Sequence, residues 1–496
     1  MPYQSRMEPK VSTRFETTPH DDQAQGDDLV LILKYLFGTL CFNKSKLLSK
    51  FTQSIIMIPP QYERAYVSEI TNWIISDPNL RLIAITGPRQ TGKTTIALQI
   101  FSKLTESGFA CKYCALDNPS VDELGSFDLY NSDEVSKNQL RKMINTPNEE
   151  TLLGIWENGR IAAQQSKRGF VLFLDEIQII PRWSNIVKGL WDADRRNQCP
   201  LRVVILGSAP WRMLTGMNES LMGRFDAFPI SHWTLKEMSY VFDFNIDEYM
   251  YFGGYPGPWT GKMNGYVKNL DVAEPLWKKY ILNSIIEPAI NRDIIAQKRI
   301  EKPALMRQII DLAPNYSGQI ISYNKMLEQL QDAGNTTTLA KYIDLLMGAG
   351  LMTTLSRFKW KPLSGRRASV PKLNVLNTAL MTANSVYTFQ DAKNNPSFWG
   401  RIAESAVGAH LYNTRDYGTH IHYWRDTNNQ NEVDYVIVRG ENLIGIEVKS
   451  GKVRTRRGLR AFKDSFPHAR VMLVGGEEMP FNEFFSLKPE EFFDIS

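Results

Sequence analysis

Two hydrophobic rhythms organise this chain after an irregular start. Up to about residue 56 the residues show no clear period, and a polar opening gives way to an apolar run from Leu29 to Phe42. From Ile58 the pattern becomes regular. Tyr66, Ile70 and Ile74 fall on one stripe at helical spacing, which predicts a helix over 62–75. Short apolar runs at 82–86, 111–116, 170–174 and 202–206 alternate with helical stretches. Runs of that length without polar alternation are what strands buried on both faces look like, so a parallel sheet flanked by helices is expected. The alternation stops after Phe228. Residues 233–302 read as helical, broken by a turn at Gly253-Gly254-Tyr255-Pro256.

The stretch 303–372 has another character. Ser322 can cap a helix through Met326, Leu327 and Leu330. Asn335 or Thr336 can cap a second, carrying Leu339, Ile343 and Leu346 and ending at Gly350. Apolar runs at 351–358 and 372–376 flank a basic loop, 359–367. Helix, turn, helix and a two-stranded wing make a winged helix. From about Tyr387 a final α/β unit follows.

Composition narrows the class. The chain has 496 residues, 43% hydrophobic and 22% charged. That reads as globular protein of roughly three domains, because single cores stop growing near ~250 residues. A net charge of +5 permits a nucleic-acid partner without requiring one. The Leu29 to Phe42 run is shorter than the ~20 residues a membrane helix needs, and acidic residues precede it. No membrane contact and a cytoplasmic location are therefore expected. Four cysteines do not make a disulfide framework. Cys111 and Cys114 form a C-x-x-C, but on a strand residues three apart face opposite ways, so the sulfurs should not converge.

The chemistry starts at Gly87-Pro88-Arg89-Gln90-Thr91-Gly92-Lys93-Thr94-Thr95, a G-x-x-x-x-G-K-[ST] loop between an expected strand and an expected helix. Its glycines let main-chain N–H groups wrap phosphate oxygens, and the helix N-terminus adds positive charge. Lys93 is placed for the β- and γ-phosphates of ATP and Thr94 for Mg²⁺. The strand 171–174 delivers Asp175 to hold the Mg²⁺ water shell, with Glu176 beside it to polarise water. Ser208, after the next strand, is a candidate contact to the γ-phosphate or the water. Arg224 has two readings of equal weight. It is an arginine finger reaching a neighbouring subunit of a homo-oligomer, or it pairs locally with a carboxylate such as Asp226.

These motifs, with Leu116-Asp117, Leu174-Asp175-Glu176-Ile177-Gln178, Trp183, Gly207-Ser208, Gly223-Arg224 and Gly253-Gly254-Tyr255-Pro256, resemble the prokaryotic AAA-like ATPases that carry a C-terminal domain of unknown function. The likeness continues through Trp424-Arg425, Glu432-Val433-Asp434-Tyr435 and Ile446-Glu447-Val448-Lys449, so it covers about Ile58 to the C-terminus. It implies an AAA-type core, a winged helix and a domain shaped like restriction endonucleases. One departure is Asn377, where the family typically has aspartate. The expected division is 1–56, an extension that is either disordered or upstream of a start at Met57; 57–232, the ATPase domain; 233–302, a helical lid or connector; 303–386, the winged helix; and 387–496, the nuclease-like domain.

The last region has its own constellation. Residues 432–438 and 444–449 alternate as strands, and a hairpin through Arg439-Gly440-Glu441-Asn442 would bring Asp434 near Glu447 and Lys449. With Glu404 from an upstream helix, this is the arrangement of PD-(D/E)xK nucleases. Asp434 and Glu447 would hold a second Mg²⁺, Lys449 would position water, and Glu404 would complete the site. A surface ion-pair ladder explains the same residues. Lys452, Arg454, Arg456, Arg457, Arg460 and Lys463 follow, and Lys341, Lys359, Lys361, Arg366 and Arg367 lie in the winged helix. Such runs can track a phosphate backbone or simply solvate a face. Two functions follow. One is an ATPase coupled to DNA binding and cleavage. The other is a non-cutting ATPase switch whose C-terminal parts bind a protein or DNA partner.

Overall fold

Five short strands form a parallel sheet whose neighbours in order are Ala110–Ala115, Phe170–Asp175, Leu201–Gly207, Leu82–Thr86 and Phe225–Pro229. The computed structural model describes residues 62–117, 147–207, 213, 217, 221–260, 270–295, 300–331, 335–360, 370–451 and 455–495. The expectations for 1–56, Ser208, Lys361, Arg366, Arg367, Lys452 and Arg454 lie outside them. In chain order the first elements are α1 (Ala65–Ser76), β1 (Leu82–Thr86), α2 (Lys93–Glu106), β2 (Ala110–Ala115), α3 (Glu149–Gln165), β3 (Phe170–Asp175), α4 (Trp183–Arg196), β4 (Leu201–Gly207) and β5 (Phe225–Pro229). β1 and β3 are buried at every residue, as their unbroken apolar runs require.

Two apolar clusters cover the two sheet faces. One packs Ile96, Ile100 and Leu104 of α2 and Ile70 and Ile74 of α1 against Ile83, Ile85 and Phe173. The other packs Leu152, Ile155 and Trp156 of α3 against Leu172, Leu174 and Ile205. Cys114 belongs to the second cluster and Cys111 packs against the first, so the C-x-x-C sulfurs lie on opposite faces, and neither forms a disulfide. This is the α/β fold of P-loop nucleotide-binding proteins.

The connector holds α5 (Leu235–Phe242), α6 (Ile246–Phe252) and α7 (Leu270–Tyr280). Thr234 and Asn245 start α5 and α6 with reciprocal capping boxes. Two π-helical segments, Ile281–Ile286 and Ala289–Ile295, follow. Next come α8 (Pro303–Leu312), α9 (Tyr323–Leu327), α10 (Thr336–Gly348), β6 (Met352–Leu355) and β7 (Lys372–Val375). Ser322 caps α9, Asn335 caps α10, and β6 and β7 pair antiparallel.

The chain then forms α11 (Ala379–Thr382), α12 (Phe389–Asn394), α13 (Pro396–Thr414), β8 (Thr419–Arg425), β9 (Glu432–Arg439), β10 (Asn442–Val448), α14 (Arg457–Ser465) and β11 (Arg470–Val474). The four strands make one sheet in the order β11-β10-β9-β8, with β10 and β11 parallel. The β9–β10 hairpin turns at Gly440, whose φ is +59°. One continuous apolar core runs from Leu235 in the connector through Leu339 and Ile343 to Tyr435 and Ile446. Among the described residues no helix is long and apolar enough to cross a membrane.

Candidate nucleotide site and C-terminal carboxylate cluster

The phosphate loop runs from the end of β1 into α2. Gly87, Gln90 and Gly92 all have positive φ, at +151°, +60° and +94°. Gly87 is bound to its type, because a Cβ there would lie 2.4 Å from Ile230 O. The Lys93 ammonium is buried and donates to Gly87 O (2.9 Å) and Pro88 O (2.7 Å), so it sits at the mouth of its own loop. Thr94 Oγ1 donates to Asp175 Oδ2 at 3.0 Å, which joins the hydroxyl and carboxylate expected to serve Mg²⁺. Glu176 takes left-handed backbone, φ +55°, at the strand end, and Gln178 Nε2 donates to its Oε2. A non-glycine residue held there is strained, which is frequent at functional sites.

Two groups that serve this site escaped sequence reasoning. Tyr113, on β2, donates its hydroxyl to Asp175 Oδ2 at 2.5 Å, and burial with the nearby Asp175 charge raises its pKa. Arg64, just before α1, is 4% exposed. It donates to Thr91 O, Ser231 O and His232 O and pairs with Glu237 at 2.6 Å. Trp233 Nε1 also donates to Thr91 O, at 3.2 Å. The outer wall of the phosphate loop is thus tied to the chain that follows the sheet.

That tie extends further. Gly350, φ +72°, lies against Pro88. His232 donates from Nε2 to Gly350 O (3.1 Å) and accepts at Nδ1 from Asn377 Nδ2 (3.3 Å). Asn377 Oδ1 accepts from Gly254 N and Ala379 N, both at 3.2 Å. So Asn377 is a buried joint. It binds the Gly253-Gly254 turn, α11 and His232 together, and burial holds the His232 pKa down to about 4.

Arg224 lies at the start of edge strand β5, and its carbonyl accepts from Leu82 N. The phosphate loop leaves the other end of β1, roughly 16 Å along the strand at about 3.3 Å per residue. The local pairing is with Asp192, Nε to Oδ1 at 2.7 Å and Nη2 to Oδ2 at 3.2 Å. The expected partner Asp226 is instead taken by Arg81 (2.9 Å) and by Trp73 Nε1 (3.0 Å), which reach it from α1 and the lead into β1.

In the C-terminal region the four expected residues lie in one charge cluster, with Lys449 under the influence of Glu447, Asp434 and Glu404, and a further lysine joins them. Glu404 faces Lys372, a residue of β7, with Nζ to Oε1 at 2.5 Å. Lys372 also donates to Asp434 O (3.0 Å) and stands 3.8 Å from Asp434 Oδ1. Asp434 Oδ2 accepts from Val448 N at 2.8 Å. Lys449 pairs with Glu447 Oε1 at 2.8 Å. Glu447 is 8% exposed, and its Oε2 has no hydrogen-bond partner among the described residues. Burial and the neighbouring Asp434 raise Glu404 to about 7. Among the described residues no group of three or more His, Cys, Asp or Glu is arranged to hold a metal ion.

Residues 79–239 match the family model of an AAA domain. Residues 243–390 and 399–489 each match a domain of unknown function, DUF8612 and DUF4143. No curated protein matches the chain. Among solved structures, a Walker-type ATPase of Pyrococcus abyssi is 12% identical with TM-score 0.43, covering 65% of this chain and 95% of that one. DnaA of Aquifex aeolicus bound to AMPPCP is 15% identical with TM-score 0.30, covering 57% and 87%. The Orc1 protein of Aeropyrum pernix in complex with DNA is 13% identical with TM-score 0.28, covering 68% and 97%. Likenesses this distant carry no argument about what this chain binds. The AAA match and the sheet with its phosphate loop give an AAA-like P-loop ATPase domain.

Proposed function

We propose that this chain is an ATP-hydrolysing switch that reads its nucleotide state out through the region after the sheet, where it contacts DNA. One observation carries the reading. Pro88, inside the phosphate loop, packs against Gly350 at the end of α10. Movement of the loop about phosphates therefore acts directly on the helix–turn–helix and its wing.

The roles at the nucleotide follow from the geometry. The N–H groups of 87–94 and the N-terminus of α2 would cradle the phosphates, and Lys93 would exchange its two loop carbonyls for β- and γ-phosphate oxygens. Thr94 and Asp175, already 3.0 Å apart, offer the hard oxygens that suit Mg²⁺, which when bound neutralises charge on the phosphates. Glu176 would take the proton of the attacking water as its oxygen bonds to the γ-phosphorus and ADP leaves. Arg224 is too far from its own phosphate loop to act on it. As a finger it would serve a neighbouring copy, which makes a homo-oligomer the working form.

For DNA, the support is a basic surface. Arg456, Arg457, Arg460 and Lys463 are exposed around α14, while Leu459 and Phe462 bury its other side. Lys341 on α10 and Lys359 after β6 are exposed. A protein partner is the other occupant this surface could take. A cleaving reading has one observation in its favour, the orphaned buried Glu447 Oε2 beside Lys449.

The test is DNA-binding anisotropy with ADP, with ATP, and with Glu176→Gln protein holding ATP, alongside ATP turnover and a cleavage assay. A DNA affinity that changes with nucleotide and is frozen in one state by Glu176→Gln supports the switch. Equal affinity in every state sinks it. Mg²⁺-dependent strand scission would replace it with the nuclease reading.

A further inference from the structure

Lys372 was invisible as a site residue in the sequence, yet it is a fully buried lysine set among carboxylates. It comes from β7, in the wing, and its 0% exposed side chain enters the C-terminal region. A buried ammonium is costly unless its charge and its N–H groups are met. Here all are met. Glu404 Oε1 accepts at 2.5 Å, Asp434 O accepts at 3.0 Å, and the Tyr435 ring lies 4.7 Å from Nζ.

The carboxylates are committed too, except at Glu447 Oε2, which has no hydrogen-bond partner among the described residues. Glu404 is held by Lys372. Asp434 spends Oδ2 on Val448 N, and its Oδ1 looks toward Lys372 at 3.8 Å. Glu447 is paired with Lys449. Two ammonium groups therefore stand among three carboxylates. Mg²⁺ is held by one or two protein carboxylates with water completing its shell, and here an entering ion would meet Lys372 beside Glu404 and Asp434 and Lys449 beside Glu447. The second Mg²⁺ of the nuclease arrangement does not fit these residues.

We infer that Lys372 is the built-in cation of this cluster, so that the carboxylates form a structural joint between the wing and the C-terminal sheet and hold no divalent metal. The surrounding bonds are those of a joint. Ser317 Oγ shares a hydrogen bond with Ser405 Oγ (2.7 Å) and accepts from Val375 N (3.0 Å). Tyr435 donates its hydroxyl to Asn374 Oδ1 (2.9 Å) and Glu404 O (2.8 Å). A polar seam thus fastens β7 to α13 and β9, with the ion pair at its centre. The inference is independent of whether ATP is hydrolysed.

Two measurements test it on the full chain. The first titrates Mn²⁺, followed by electron paramagnetic resonance, into protein carrying Asp175→Asn, with and without Asp434→Asn. Equal Mn²⁺ uptake is expected. Loss of one bound ion per chain on adding Asp434→Asn would overturn the inference, and this arm leaves Lys372 untouched. The second is a double-mutant cycle on thermal stability with Lys372→Met and Glu404→Gln. Each single change should lower Tm, and the double variant should lie well above the sum of the two losses, because neither partner is then left charged and alone. Additive losses would show that the pair is no joint.

Discussion

Gly350 and Pro88 meet with no room for a side chain: a Cβ on Gly350 would stand 2.4 Å from Pro88 Cγ. Gly350 also has φ +72°, where an L side chain is strained. Gly350→Ala should therefore cost about 2–4 kcal/mol, through backbone strain and overpacking together. Because the displaced atom belongs to the phosphate loop, ATP affinity should weaken as well. Denaturation and nucleotide titration measure the two effects. The comparison is Gly189→Ala on exposed α4, where a Cβ would meet nothing within 4 Å. That change should stabilise by about 0.5–1 kcal/mol and leave ATP binding alone. A Gly350→Ala protein with normal ATP affinity would mean that the contact transmits nothing.

The His232–Asn377 bond makes a pH prediction. The folded His232 pKa is depressed to about 4 by burial, against an ordinary value near 6.5. Between those values the unfolded chain binds a proton that the folded chain does not. Stability is then complete above about 6.5, falls as pH drops toward 4, and levels off below. His410, buried and also held to about 4, adds a second loss of the same sign. At about 1.4 kcal/mol per unit each could contribute up to about 3 kcal/mol. Asn377→Asp, the residue typical of the resembling family, would place a carboxylate on Nδ1 and favour the imidazolium. The His232 resonance should then titrate at higher pH, and the acid loss should shrink toward that of His410 alone. An unchanged titration would exclude this bond as the control.

What the sequence made legible, and what it hid, follows from how far apart the partners are. The phosphate loop, Asp175 and Glu176 announce themselves because strand, loop and helix are contiguous. The caps Ser322 and Asn335 and the turn at Gly440 are local for the same reason, and strand ends differ by up to three residues, as where the run 351–358 gives β6 at Met352–Leu355. Lys372 could not be read in this way. It reaches Glu404 across 32 positions and Asp434 across 62, and a lysine at the start of a short strand ordinarily points to solvent. Tyr113 meets Asp175 only because β2 and β3 pair in parallel register. In the sequence Asp226 is one example of a local carboxylate for Arg224, the alternative to a finger on a neighbouring subunit. Arg81 and Trp73, distant in the chain, claim Asp226 instead, and Arg224 pairs with Asp192 of α4. The π-helical segments after α7 carry no sequence period that sets them apart from α-helix.

Tyr113 should act as a positioning residue for Asp175. Its hydroxyl fixes one carboxylate oxygen while Thr94 meets the same atom. Removing such a partner typically costs 10–100-fold in metal affinity or activity. Tyr113→Phe keeps the ring that stacks on Phe173, 6.0 Å between centroids, so the fold should persist. The expected result is a higher Mg²⁺ requirement for ATP turnover, on the order of tenfold, that excess Mg²⁺ largely restores. An unchanged Mg²⁺ dependence would show that Asp175 needs no such support.

Arg224 gives the prediction that bears on assembly. It lies at the opposite end of β1 from the phosphate loop, so a catalytic role in its own subunit is excluded by distance. Its pairing with Asp192 is about a third exposed on each side, 29% and 27%, and such a pair contributes little to stability. Arg224→Ala should accordingly leave Tm almost unchanged. If the guanidinium serves a neighbour, the same variant should lose most ATP turnover, because such cations are worth 10³–10⁵ in rate. Glu176→Gln should be inactive for a different reason. Mixing the two inactive proteins then separates the readings. A site built from an Arg224→Ala subunit keeps its own Glu176, and a Glu176→Gln neighbour supplies an intact Arg224. Random mixing in equal amounts makes roughly a quarter of all sites complete, so turnover should reappear to about that extent in a head-to-tail ring. No recovery, with both proteins folded and co-assembled, would leave Arg224 as no more than the partner of Asp192.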